Sequence, residues 1–416
     1  MNRKTLLTLF CCSAFGLTAC NDNEDDFSPE SSVTVPTLVS FAKLDIETYA
    51  AGPNSGAAVK GANGIFPPFK GQPVQGFSGA LKNGDGTYMV MADNGFGTQD
   101  NSSDFLLRIY QIKPDFRTES TGSAKVQVMD FIQLRDPNGL IPFTIFNQNT
   151  VDRLLTGSDF DPESIQRTED GSYWIGDEFG PYLLHFDKDG VLQDAPFPLP
   201  DPFKKGAELR SPQNQFNKAD INYTEPLTQQ SGGFEGMALS KNGLYLYPLL
   251  EKPLKGHETE KKLLIFQFDL QTKSYTGKFW YFQLNPKASN IGDFQLFDDK
   301  NGIIIERDAT QNRLDGYKKL IKVELGEPGT VVRREDLVDL MNIANPHHLS
   351  GTPRKGDIGT GKIFAFPFET IEDVIIENNH TLTVLNDNNF PGSSGRNAER
   401  ADDNEMIQIK LPKALF

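Results

Sequence analysis

Carboxylates recur in this chain at one kind of place, the two ends of short hairpins. Asp161-Pro162-Glu163-Ser164-Ile165 leads through Asp170-Gly171 to Tyr173-Trp174-Ile175-Gly176-Asp177-Glu178. Gly233-Phe234-Glu235-Gly236 leads through Asn242-Gly243 to Glu251, and Gly76-Phe77-Ser78 leads through Asn83-Gly84-Asp85-Gly86 to Asp93-Asn94. Ile291-Gly292-Asp293 leads through Asn301-Gly302 to Glu306-Arg307-Asp308, and Ile371-Glu372-Asp373 through Asn378-Asn379 to Asn386-Asp387. In an antiparallel hairpin the start of one strand lies beside the end of the other. Ser78 is therefore expected near Asp93, Glu163 near Asp177 and Glu178, Glu235 near Glu251, Asp293 near Glu306 and Asp308, and Glu372 near Asn386 and Asp387.

Acids brought together repel, so some must protonate or meet a cation. Calcium suits such a site because it takes six to eight oxygens in loose geometry. Asp93, Glu163, Asp177, Glu178 and Glu235 are the candidate metal ligands, with calcium as the expected cofactor. A cation there would polarise a phosphoryl oxygen and activate water. Glu235, Arg307 and Lys252 are the candidate catalytic residues, the two bases steadying developing negative charge. The competing reading has the acids capping turns, accepting backbone amides, or pairing with Arg307, Lys252 and Arg396.

The elements that must position these groups repeat with them. Asn-Gly and Asp-Gly favour type I′ turns, so each copy reads as a hairpin. Further strands follow several copies, at Leu106 to Ile112, Lys125 to Leu134, Lys262 to Phe268, Lys278 to Leu284, Tyr317 to Leu325 and Val331 to Leu340. A hairpin plus two more strands, repeated, is the plan of a β-propeller. The fold class is all-β, a propeller of five readable blades. A sixth could lie in Val191 to Thr228 or Ile343 to Phe368. After the fifth hairpin only Glu405 to Leu411 remains, so the N-terminal stretch Leu38 to Ile46 is expected to supply the missing outer strand and close the ring. An irregular two-sheet sandwich is the alternative, and five hairpins of one pattern argue against it.

Other chemistries fit less well. Gly76-Phe77-Ser78-Gly79-Ala80 misses the Gly-x-Ser-x-Gly elbow of serine hydrolases. Adjacent His347 and His348 cannot share a strand face, and a loop pair is the simpler reading. Asp187-Lys188-Asp189-Gly190 begins like a calcium loop but lacks the closing Glu, so it reads as a turn.

The first residues carry a separate message. Met1-Asn2-Arg3-Lys4 is cationic, Leu6 to Gly16 is largely apolar, and Leu17-Thr18-Ala19-Cys20 ends the run, which is the plan of an export signal. The run is too short to span a membrane. Leu-Thr-Ala-Cys resembles a bacterial lipobox, so residues 1–19 read as a signal peptide and Cys20 as the lipidation site. Residues 20–36, with Glu24-Asp25-Asp26, read as an acidic tether, and 37–416 as the folded domain. The expected location is the outer membrane or cell surface, held by the N-terminal lipid. All 3 cysteines lie at or before position 20, so no disulfide is expected in the folded body.

The chain has 416 residues and a net charge of −15. That acidity argues against a nucleic-acid partner, which demands a basic surface. With 37 Gly, 26 Pro and 31 Phe, the composition points to many turns and β-rich aromatic packing. No helical zipper or long exposed strand argues for an oligomer, so a monomer is expected.

The strings Asp161-Pro162-Glu163, Trp174-Ile175-Gly176-Asp177-Glu178-Phe179-Gly180-Pro181, Gly233-Phe234-Glu235-Gly236, Glu306-Arg307-Asp308 and Asn386-Asp387-Asn388-Asn389-Phe390 together resemble the "esterase-like activity of phytase" family. The resemblance spans about Phe77 to Ile409. It implies a β-propeller, hydrolysis of a small-molecule ester or phosphate ester, and frequent export. No nucleophile is carried over by it. A non-catalytic propeller that binds a ligand and holds a structural cation is the second functional reading.

Overall fold

The expected hairpins form, and each inner strand is interrupted at the same point. In the computed structural model, which describes residues 33–217 and 227–416, the inner strands are Phe77–Lys82, Pro162–Arg167, Phe234–Leu239, Asn290–Leu296 and Ile371–Asn378. Each pairs antiparallel with the strand that follows it, Tyr88–Ala92, Tyr173–Asp177, Tyr245–Leu250, Asn301–Arg307 and Thr381–Asn386 respectively. The register slips near the start of every inner strand, after Phe77, Pro162, Phe234, Ile291 and Ile371. Such bulges bend a strand and re-aim the extra side chain. The residues that follow the five slips are Ser78, Glu163, Glu235, Gly292 and Glu372.

The turns differ from the expected type I′. Gly86, Gly171 and Gly243 have φ of 82°, 86° and 69°, while the residues before them keep negative φ. Bonds such as Gly171 N–H to Thr168 O and Gly243 N–H to Ser240 O mark type I turns closed by a left-handed glycine. In the fourth hairpin Asn301 and Gly302 already belong to the second strand. The reversal falls at Asp298–Lys300, where Asp298 Oδ1 accepts the amides of Lys300 and Asn301 at 2.8 and 2.7 Å.

Outer strands complete each sheet. Arg108–Asp115 and Lys125–Gln133 extend the first, Tyr182–Phe186 and the short Phe197–Pro198 the second, Lys262–Asp269 and Ser274–Gln283 the third, and Lys318–Glu324 and Arg333–Asp339 the fourth. The fifth continues into Asn404–Lys410, which pairs antiparallel with Thr37–Leu44 from the N-terminus. A single parallel bridge, Lys43 to Lys125, then joins this sheet to the first. No further hairpin of this kind occurs in the described part of 191–228, and 343–368 contributes only the two-residue ladder Ile343–Ala344 with Ile363–Phe364.

The inner strands pack in sequence, each against the next, and the last against the first. Their apolar side chains fill the spaces between sheets. Met91, Ile109, Ile165 and Ile175 pack between the first and second sheets, and Leu249, Ile265, Phe294 and Ile304 between the third and fourth. Each such side chain contributes about 1.5–3 kcal/mol by leaving water. Among the described residues there is no α-helix, and no helix is long and apolar enough to cross a membrane. The signal, Cys20 and residues 20–32 of the tether lie outside the described residues.

Candidate functional site

The bulges and the strand ends together build one carboxylate-rich mouth. Past each slip sits Ser78, Glu163, Glu235, Gly292 or Glu372. At the end of the paired strand sits Asp93, Glu178, Glu251, Arg307 or Asp387. Four hairpins thus bring an acid to the second position, and the fourth brings Arg307. Close packing fixes the fourth at its other position too, since a Cβ on Gly292 would lie 1.9 Å from Ile371 O.

Two carboxylate groups form between adjacent hairpins. Asp93, Asp161 and Glu163 each offer an oxygen within 4.8 Å of the others, as do Glu178, Glu235 and Glu251. Asp161 connects the groups to the backbone, accepting the Asn94 amide at 3.1 Å and the Asn94 side chain at 2.8 Å. At the seam between first and last sheets, Asp93 and Asp387 crowd Gly76. Its φ is +67°, and a Cβ there would lie 2.5 Å from Asp93 Oδ1 and 3.6 Å from Asp387 Oδ1.

The electrostatic consequence is uniform in sign. Burial raises the Glu163 carboxyl well above the usual range, and Asp161, Glu235, Glu372 and Glu178 push it further. Glu178 is raised by burial, then by Glu251 and Asp161, and Glu235 by burial, then by Glu372 and Glu251. Asp93 is raised by its packing and by Asp161, and Asp161 itself is pushed by burial to about 6. Burial and mutual repulsion thus favour the protonated form of each group, and a positive charge among them would favour the ionised form.

Among the described residues, basic side chains pair with the mouth carboxylates on one side only. Arg307 Nη2 donates to Glu235 Oε1 at 3.0 Å and Glu372 Oε1 at 2.9 Å, and lies 3.5 Å from Glu251 Oε1. Burial opposes the guanidinium's charge, but Glu372, Glu235 and Glu251 outweigh it and raise its pKa. Its Nε is buried with no acceptor among the described residues. Ser78 donates its hydroxyl to Glu372 Oε2 at 2.9 Å. Lys252 stands at the rim, paired with Glu251 at 3.0 Å and bonded to the Ser231 carbonyl. No basic side chain among the described residues pairs with Asp93, Asp161 or Glu163.

The remaining expected residues are placed elsewhere. Asp177 stands apart from both groups and accepts the amides of Asp161 at 2.9 Å and Gly180 at 2.7 Å, with burial pushing it to about 8. Glu306 and Asp308 do not join the mouth. Glu306 is clamped by Arg334 and Tyr317, and Asp308 by Lys318 and the Tyr317 amide, because strand alternation turns Arg307 inward and its two neighbours outward. Arg396 is likewise distant, held by Glu405 at 2.9 and 2.7 Å against Phe364 and Phe368. His347 faces Glu119 at 3.5 Å. Asp187 Oδ1 caps its own turn through the amides of Asp189 and Val191.

Glu251, Glu372 and Asp387 are expected at the hairpin ends but not as ligands, and Asp161 is not among the expected site residues. The repeat carried the signal for the first three, which occupy the same places as Glu178 and Glu235. Asp161 precedes the strand, and only contact with the neighbouring sheet brings it in. Asp293 and Asp373 stand one place past the mouth positions in their strands. Asp293 is satisfied by the amides of Phe294 and Val374. Asp373, 1% exposed, has no donor to either oxygen among the described residues.

A cavity of about 430 Å³ opens over Asp93, lined by residues including Lys60, Phe96, Asn101, Asn389 and Phe390.

The pattern of the phytase-like family, "esterase-like activity of phytase", matches residues 72–390 of the chain. An uncharacterized secreted protein of Arthroderma benhamiae is 23% identical over 327 residues, covering 64% of this chain and 63% of that protein. The chain thus matches less than two thirds of that relative's length. Among solved structures, a luciferin-regenerating enzyme is similar at a TM-score of 0.36 and 10% identity, covering 82% of this chain and 79% of its own. A streptogramin B lyase is similar at 0.32 and 10% identity, covering 83% and 66%.

Proposed function

The chain belongs to the phytase-like family, "esterase-like activity of phytase", and from that premise we propose that it is an exported ester or phosphoester hydrolase working at the carboxylate mouth with a bound calcium ion. In this reading the five sheets are the blades of a propeller, and the N-terminal strand Thr37–Leu44 closes the ring against Asn404–Lys410. Residues 1–19 direct export, a lipid on Cys20 holds the body at the outer membrane or cell surface, and the protein acts as a monomer.

The observation that carries the reading is the group Asp93, Asp161 and Glu163. It gathers three carboxylates within 4.8 Å with no basic partner among the described residues, and Asp93 opens to the cavity. An oxygen-only set of this kind fits a hard divalent cation. Glu178 adds a fourth oxygen donor from the adjacent group. When bound, the cation would polarise the ester's oxygen and lower the pKa of water. Arg307 supplies the opposite need. Glu235 and Glu372 hold it in place, and its charge would steady an oxygen that gains negative charge. Lys252 fixes Glu251 at the rim.

One observation favours a second reading, a ligand-binding propeller with a structural cation. Glu178, Glu235 and Glu251 are all buried, so a cation among them would hold hairpins together without meeting a substrate. Turnover of a panel of phosphate and carboxylic esters, with calcium or chelator, decides between the two. Calcium-dependent hydrolysis that Glu235→Gln abolishes with the fold intact supports the enzyme. Full activity in that variant rejects the assignment, and calcium-dependent stability without turnover favours the binding module.

A further inference from the structure

The cavity over Asp93 is built by three loops that are tied to one another. Asn63 Nδ2 donates to the carbonyls of Pro391 at 3.1 Å and Gly392 at 2.8 Å, joining the first loop to the last. Asn94 Oδ1 accepts the amides of Phe96 at 3.2 Å and Gly97 at 2.6 Å, and Asn101 Nδ2 donates to Phe96 O at 2.8 Å, which folds the middle loop on itself. The Phe69 ring fastens the walls from behind, 5.9 Å from Phe96 and 5.0 Å from Phe390. The walls are therefore formed before any ligand arrives, as small-molecule sites commonly are.

Its chemistry is graded from floor to rim. Asp93 at the floor receives the Gly95 amide on Oδ1 at 2.8 Å, its one donor among the described residues, and Asp93 is shared with the carboxylate group. Phe96 and Phe390 give apolar sides. Asn101 and Asn389 add polar edges. Lys60 is exposed at the rim and has no carboxylate partner among the described residues. At about 430 Å³ the space holds roughly fourteen waters at about 30 Å³ each, the low end for a ligand pocket.

Resting on the ester-hydrolysis reading, we infer that this pocket binds the alcohol side of the substrate, and that the substrate is a compact monoester of a ring-sized alcohol carrying a single phosphate. A polyphosphorylated substrate is disfavoured by the same lining. One free ammonium stands against an acidic floor, and extra phosphates would find no partner and would be repelled.

The test is calorimetric titration of the full chain with phenyl phosphate in the presence of calcium, with inositol hexakisphosphate as the polyanionic comparison. Wild-type protein should bind phenyl phosphate and bind the hexakisphosphate no more tightly. Ala58→Trp, on the exposed wall, should weaken phenyl phosphate at least tenfold while keeping the wild-type melting temperature and calcium response. Lys60→Ala should weaken it by about tenfold and leave neutral phenyl acetate unaffected, and this surface change keeps the test open should the tryptophan disturb folding. Absent binding to wild type, unchanged binding in both variants, or tighter binding of the hexakisphosphate overturns the inference. Wild-type binding that the variants weaken, without turnover of any ester, sinks the hydrolase reading and leaves the pocket assignment standing.

Discussion

The two sides of the mouth share a construction and differ in one charge. On the side of the third, fourth and fifth hairpins, Glu235, Glu251 and Glu372 surround Arg307. On the side of the first and second, Asp93, Asp161 and Glu163 meet other carboxylates and backbone or amide donors, and no basic side chain among the described residues pairs with them. A buried carboxylate is tolerable once a guanidinium answers it and costly when nothing does. Arg307 partly answers the first set of acids, and no basic side chain among the described residues answers the second. The same bulged hairpin thus joins an ion network where it carries Arg307 and leaves its acid without a basic partner among the described residues where it carries Asp93.

The largest way to break this contrast is Arg307→Met. Removing one member of a buried ion network strands its partners and should cost about 3–5 kcal/mol, read by urea unfolding at pH 7.5. A loss below about 1 kcal/mol would show that the acids on that side are already neutral. Next comes calcium. At 100-fold saturation a site on the folded state should add about 2.7 kcal/mol. Glu163→Gln should lose most of that gain while Glu372→Gln keeps it. Equal loss in both variants would erase the distinction between the sides.

A smaller effect concerns pH. Burial holds Asp293 and Asp402 at about 7 in the folded chain, well above their unfolded range. The folded state then binds more protons than the unfolded state between about pH 4 and 7. The stability these groups lend is present below about pH 4 and lost as the pH rises through 7. With chelator present, the melting temperature should fall between pH 5 and pH 8, and a flat profile would contradict the raised carboxyls. The smallest is Asp373→Asn, which removes the ionisable group with no donor. It should stabilise by about 1 kcal/mol at pH 8 and have little effect at pH 4, measured by the same melts.

Much of this architecture could be read from residues alone, for a local reason. Asp170-Gly171 and Asn242-Gly243 mark reversals wherever they occur between apolar runs, and antiparallel pairing then brings Glu163 toward Glu178 and Glu235 toward Glu251. Other features depend on contacts that local turn signals do not carry. Asn301-Gly302 looks like a turn, but Asp298 makes the turn three residues earlier and Gly302 pairs with Val323. Strand alternation then turns Arg307 inward, as its candidate role requires, and turns Glu306 and Asp308, expected beside Asp293, outward. The bulges carry no turn signal, and at Gly292 the Ile371 carbonyl passes too close for any side chain. Asp177 was read as a ligand because its type and position fit, yet two backbone amides claim it first. Asp161 belongs to the site only through Asn94, a residue of the preceding hairpin.

The pairing of Thr37–Leu44 with Asn404–Lys410 also sets a timetable. The first strand of the domain to be synthesised finds its antiparallel neighbour among the last, and Lys43 meets Asp403 across 360 positions of sequence. Contacts so far apart are slow to form, and a nascent chain cannot make them until Asn404–Lys410 has been made. The other four sheets use strands from one continuous stretch and can assemble as they emerge. The fifth waits until Asn404–Lys410 has been made, so a product stalled before that strand would be left with an unpaired edge at Thr37–Leu44, open to another chain.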